Sequence, residues 1–127
     1  MPARKTPLDR LRAICLALPE TWEKESWKTP TFRLGSRSDP KKSKMFVIYS
    51  QGKDGRPALW CKGQDGAQEA LVDDDPKRFF CPPYVGVNGW VGMWIDGRPR
   101  WTEVEGLVED SYRLVAPRDL RERLDEG

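Results

Sequence analysis

A chain of 127 residues has the length of one ordinary domain and can bury a core without disulfide or metal staples. With 38% hydrophobic and 33% charged residues it reads as soluble and globular, and a net charge of +2 is too small to announce a nucleic-acid partner by itself. No run approaches the roughly 20 apolar residues of a membrane helix, and MPARKTPLDR lacks the apolar centre of a signal peptide, so a cytoplasmic protein without membrane contact is expected.

Thr6-Pro7-Leu8-Asp9 predicts a helix start, with Thr6 as cap, Pro7 at the first helical position and Asp9 favoured by the helix dipole. Leu8, Leu11, Ile14, Cys15 and Leu18 recur at helical spacing until Pro19, which turns Cys15 to the core. From Thr21 to Lys62 the pattern shortens. Thr21 to Trp27 alternates weakly, and Thr31 to Leu34 sets Phe32 and Leu34 opposite Thr31 and Arg33. Lys44 to Ser50 is apolar on both faces, the mark of a central strand, and Ala58 to Cys61 supplies a fourth after a glycine-rich turn. Gln64 to Val72 returns to helical spacing and stops at Asp73-Asp74-Asp75-Pro76, where Asp75 caps a short turn over Lys77 to Phe79.

The stretch RFFCPPYVGVNGW, residues 78–90, poses the choice between a buried crossover and a ligand platform. Pro82 and Pro83 predict an extended connector over residues 81 to 84, with Phe79, Phe80 and Tyr84 folded back on the sheet. Trp90 to Ile95 reads as a fifth strand in which Gly92 permits a close approach or a bulge. Trp101, Val104, Val108, Tyr112 and Val115 mark one face of a long helix, and Pro117 opens a last helix whose residues 118–127 are acidic. The predicted fold is a single compact α+β domain over residues 1–127, with 1–6 flexible. Its antiparallel β-sheet of about five strands, a four-strand meander plus one later strand, packs against the N-terminal and C-terminal helices.

The absence of histidine removes Ser-His and Cys-His nucleophilic pairs, histidine bases and histidine metal ligands. Three widely spaced cysteines, Cys15, Cys61 and Cys81, fit neither a disulfide framework nor a zinc site, and the aspartate run lacks the spaced ligands of a calcium loop. No catalytic constellation, metal or cofactor is expected, and the chain reads as a non-enzyme. Charge is uneven: residues 1–50 carry 11 Lys/Arg against 5 Asp/Glu, and residues 101–127 carry 4 against 8.

Three segments carry a family resemblance. Trp27-Lys28-Thr29-Pro30-Thr31-Phe32-Arg33, then Asp75 to Gly86 running into Gly89-Trp90-Val91-Gly92, and finally Ser111-Tyr112-Arg113-Leu114-Val115-Ala116-Pro117 resemble the MmcQ/YjbR family. Within that likeness Pro30, Thr31, Phe32, Pro82, Pro83, Tyr84, Gly86, Gly89, Trp90, Gly92, Ser111, Tyr112 and Pro117 are mainly structural motif positions. The resemblance implies a frataxin-like α/β shape with hairpins described as a double-wing DNA-binding motif. The chain departs from the family pattern at Lys28-Thr29, where Gly-His is common, and at Asn88, where a basic residue is common. Roles for those residues do not transfer.

On that reading the partner is double-stranded DNA, held without strong sequence preference by phosphate contacts from Lys28, Arg33, Arg37, Lys41, Lys42, Lys53 and Arg56. Meander geometry places Lys28, Lys53 and Arg56 at one end of the sheet, and Arg37, Lys41 and Lys42, with Lys44, at the other. Arg33 lies between. Two alternatives stay open: a non-enzymatic module recognising an unidentified protein through its sheet face or its acidic C-terminal helices, and a small-molecule pocket beneath the tryptophans with Tyr112 or Arg113 supplying polar recognition. Trp22, Trp60, Trp90, Trp94 and Trp101 all fall in predicted elements where packing accounts for them.

Overall fold

Helix α1 (Pro7–Leu16) begins at the cap the sequence provides. In the computed structural model, which describes residues 6–51 and 54–126, the Thr6 hydroxyl accepts the Asp9 N–H at 3.1 Å. The Asp9 carboxylate accepts the Thr6 N–H at 3.1 Å in return, a reciprocal box that satisfies two otherwise orphaned donors. Thr6, expected within a flexible start, serves as the helix cap, and residues 1–5 lie outside the described residues. At the far end the Thr21 hydroxyl reaches the carbonyls of Cys15 and Leu18, both at 2.8 Å.

Strands β1 (Thr21–Ser26), β2 (Thr29–Leu34), β3 (Lys44–Gln51) and β4 (Pro57–Cys61) form the expected meander. The sheet then continues with β5 (Phe79–Phe80) and β6 (Val91–Trp94) in the order β1-β2-β3-β4-β6-β5, every neighbouring pair antiparallel. Six strands rather than five result. A two-residue strand has no period to read, and Phe79 and Phe80 become one only because β6 offers them an edge. β3 is apolar on both faces for a second reason besides its central place. Phe32 faces Val47 while Arg33 faces Met45, so Phe46 is an extra, bulged residue, and both Phe46 and Val47 are fully buried.

Helix α2 (Ala67–Asp74) packs against β5 and β6, and helix α3 (Trp101–Val115) lies along β3 and β4 beside α1. Val104, Val108 and Tyr112 of α3 are wholly buried, as are Leu11 and Cys15 of α1. Each such large apolar side chain contributes about 1.5–3 kcal/mol. Tyr112 meets Phe46 edge-on with ring centroids 5.7 Å apart and donates its hydroxyl to the Pro19 carbonyl at 2.7 Å. The Ser111 hydroxyl donates to the Lys62 carbonyl at 2.6 Å. These two bonds tie α3 to the exit of α1 and to the end of β4. Helix α4 (Arg118–Glu126) follows Pro117 and buries Leu120.

On the sheet face away from these helices, register aligns Thr31, Ile48, Trp60, Gly92 and Phe80 in one row. The Phe80 ring lies over Gly92 so closely that a Cβ there would sit 2.3 Å from Cε2. Only glycine fits that position. No helix among the described residues is long and apolar enough to cross a membrane.

Candidate functional site

The β1–β2 hairpin turns on two residues, Trp27 and Lys28, because Ser26 pairs directly with Thr29. Both have positive φ, +53° and +63°. A two-residue turn of this hand matches strand twist and ordinarily uses Asn-Gly, because left-handed backbone costs other residues about 1–2 kcal/mol. Burial does not offset that strain: the Trp27 side chain is 76% exposed. The strand expected to run through Trp27 therefore stops one residue earlier and presents the ring at the tip.

A second strained residue lies across from it. Tyr84 has φ +64° and ψ −63°, and the Val85 N–H donates to the Pro83 carbonyl at 2.7 Å, which together define a tight positive-φ γ-turn. The connector over residues 81 to 84 is thus not extended throughout. Gly86 captures the Pro82 carbonyl at 3.0 Å and reverses the chain. Gln68 of α2 locks the reversal by donating to the carbonyls of Gly86 and Trp90 at 2.8 and 2.7 Å. Phe79 and Phe80 fold back on the sheet as expected, but Tyr84 does not: it is 89% exposed.

Trp27 and Tyr84 both line a groove of about 1090 Å³ at this end of the sheet. Pro30, Ile48 and Trp60 contribute apolar surface, and Ser50 and Gln51 contribute polar side chains. Lys28 is the sole charged residue lining the groove among the described residues. The Thr29 hydroxyl is already committed to the Tyr49 carbonyl.

The cations proposed for phosphate divide as the meander requires. Lys28 is exposed at the groove end, and Lys53 lies outside the described residues. Arg56, expected beside them, is engaged elsewhere. Its Nε donates to Asp96 at 2.5 Å and its guanidinium stacks 4.1 Å above the Trp94 ring, which in turn packs on Phe80. Arg33 is half-buried beside Ser26, and its Nε is buried without a partner among the described residues. At the opposite end Arg37, Lys41, Lys42 and Lys44 are all exposed, and none forms an ion pair among the described residues.

The remaining candidates are accounted for by packing. Asp75 of the aspartate run accepts Arg78 at 2.6 Å, and that hydrogen bond holds its carboxyl below the ordinary carboxylate range. Arg78 also reaches Glu103 at 2.8 Å. Cys15 and Cys61 are buried, and burial pushes the Cys61 thiol up to about 11, while Cys81 is exposed. Among the α4 carboxylates, Asp125 is held by Arg113 and Glu122 by Arg118. Thr31 and Phe32 are buried in β2, Pro82 and Gly86 in the connector and Trp90 beside β6, while Gly89 supplies a left-handed corner with φ +83°.

Trp60 as a groove wall escapes a reading that assigns it to packing, and Trp27 escapes one that runs the first strand through it. The available signal was a two-residue gap between strand patterns filled by Trp-Lys where Asn-Gly is usual.

No curated protein matches the chain. Among solved structures, the Deinococcus radiodurans protein DR2400, described as a DUF419 domain, is similar with a TM-score of 0.74. The match covers 96% of this chain and 92% of that one at 24% identity, which speaks for the fold. The sequence model of the YjbR family matches residues 16–114, spanning the α1 exit, the whole sheet and nearly all of α3, and the chain belongs to that family.

Proposed function

We propose that the protein binds duplex nucleic acid without strong sequence preference, through phosphate contacts from the β2–β3 connection. The observation that carries this reading is the state of its cations. Arg37, Lys41, Lys42 and Lys44 fall within ten residues, are exposed and form no ion pair among the described residues. Elsewhere Arg12, Arg56, Arg78, Arg113, Arg118 and Arg123 are each held by a carboxylate, although Arg98 and Arg100 are exposed and unpaired among the described residues as well. Asp39 is the only acid in the connection, and it accepts the Lys41 N–H. Unpaired cations are free to displace counterions from phosphate, whereas paired ones must first break a contact. Lys28 belongs to a second, smaller contact at the other end; Arg33 and Arg56 are not assigned to either.

Anisotropy of a labelled random duplex of about 20 base pairs, titrated at several salt concentrations, tests the reading. Affinity should fall linearly in log salt, and changing Arg37, Lys41 and Lys42 together to Gln should reduce the slope by about 2 to 3 and weaken all sequences alike. Absence of binding at low salt, or an unchanged slope in the triple variant, would sink it.

A further inference from the structure

The geometry points to the groove between Trp27 and Tyr84 as a binding site for a small planar aromatic ligand bearing one anionic group. The duplex reading rests mainly on cations at the opposite end of the sheet and shares only Lys28 with this site.

Three observations converge on it. The first is that the two most exposed aromatic rings, Trp27 and Tyr84, are carried by backbone in the left-handed half of φ/ψ space and line the same groove. Neither ring stabilises the fold by burial, so the strain has no packing return in the free protein. Strain of this kind persists where the surrounding structure imposes it, and it concentrates at ligand sites. Here a strand pair imposes one turn, and the Gln68 lock with its two backbone carbonyls imposes the other.

The second observation is the chemistry of the walls. Two tryptophans, Trp27 and Trp60, and one tyrosine offer flat faces, and Ile48 and Pro30 add apolar contact. Planar ligands stack on such faces, and the volume of about 1090 Å³ is ample for one or two fused rings.

Charge supplies the third. Lys28 lines the groove with no carboxylate beside it among the lining residues, and it forms no ion pair among the described residues. A single uncompensated cation at an apolar groove selects a single anion, and Ser50 and Gln51 add polar character to the lining. A carboxylate or a phosphate on the ring system would satisfy Lys28 equally.

The test uses two probes of this shared chemistry, 2-naphthoate and adenosine 5′-monophosphate, titrated calorimetrically into the full chain, with 2-naphthalenemethanol as the neutral control. Saturable binding of either anion supports the site, and which one binds more tightly separates an aryl carboxylate from a nucleotide. Trp27→Asn and Tyr84→Gly should each weaken the bound anion about tenfold or more, since each removes one stacking face. Asn and glycine suit left-handed backbone, so both variants should melt at or above the wild-type temperature. Lys28→Met should weaken the anion but leave 2-naphthalenemethanol unchanged. No saturable binding of either anion at millimolar concentration would overturn the proposal. So would variants that bind like wild type, or a loss of melting temperature in Trp27→Asn and Tyr84→Gly, which would show the rings to be structural.

Discussion

Cys61 shows how a single buried side chain writes itself into the stability of the whole. It is only 1% exposed, and burial raises its thiol from an ordinary 9.0 to about 11, because the thiolate would be stranded among apolar neighbours. A folded value above the unfolded one means that the stabilising contribution is complete below pH 9 and is lost as pH rises toward about 11. The gap converts to roughly 3 kcal/mol for this one group, and Cys15, raised in the same direction, adds to it. Urea unfolding in reducing buffer at about pH 8.5 and about pH 11 should therefore show wild type losing stability faster than Cys61→Ala, although the variant is less stable at the lower pH. Equal losses in the two proteins would show that Cys61 is already ionised in the fold or never was protected.

At the scale of elements, β5 depends on a residue in another strand. Phe79 and Phe80 are held on β6 by two pairings, and the Phe80 ring occupies the space above Gly92 before meeting Trp94 at 4.5 Å. Gly92→Ala places a methyl 2.3 to 2.7 Å from three atoms of that ring, so the ring must leave or β6 must shift. Overpacking of this kind costs about 1–3 kcal/mol, measured as a fall in urea midpoint, and Phe80→Leu in the same chain should recover part of it. If Gly92→Ala matches wild type, the ring over Gly92 is not fixed. Gly92 alone was open to a close approach or a bulge, a choice that the Phe80 ring over it decides. α1 with its cap, the meander and the buried face of α3 were legible in the sequence, because each rests on periodicity or on a local cap. β5 was not, because two residues show no period. Nor was the groove. Trp27 sits at the end of a weakly alternating segment that reads as strand, and Tyr84 follows two prolines that argue for extension, whereas Gln68, from elsewhere in the chain, holds the carbonyls of Gly86 and Trp90 and so fixes the reversal that follows the γ-turn. Local rules read what neighbours in sequence decide; the site is made by residues that meet only after folding.

The whole molecule separates its two candidate surfaces along the sheet. In a meander the β1–β2 and β3–β4 turns share one end and the β2–β3 connection lies at the other, so the groove and the cluster of Arg37, Lys41 and Lys42 face away from each other. Between them runs a sheet whose central strands are buried and bonded on both sides, and nothing in that arrangement has two packings to choose between. Coupling between sites requires an element whose equilibrium both ligands bias. A central sheet bonded on both sides offers no such element, and the two binding events should be additive. Duplex affinity measured with the groove saturated by 2-naphthoate should match affinity without it to within about twofold, the effect of losing the single Lys28 charge from the long-range field. Strong competition would carry a different meaning. It would place the duplex across the Trp27–Tyr84 end, make the aromatic rings part of the nucleic-acid surface, and transfer the phosphate contacts from Lys41 and Lys42 to Lys28 and its neighbours.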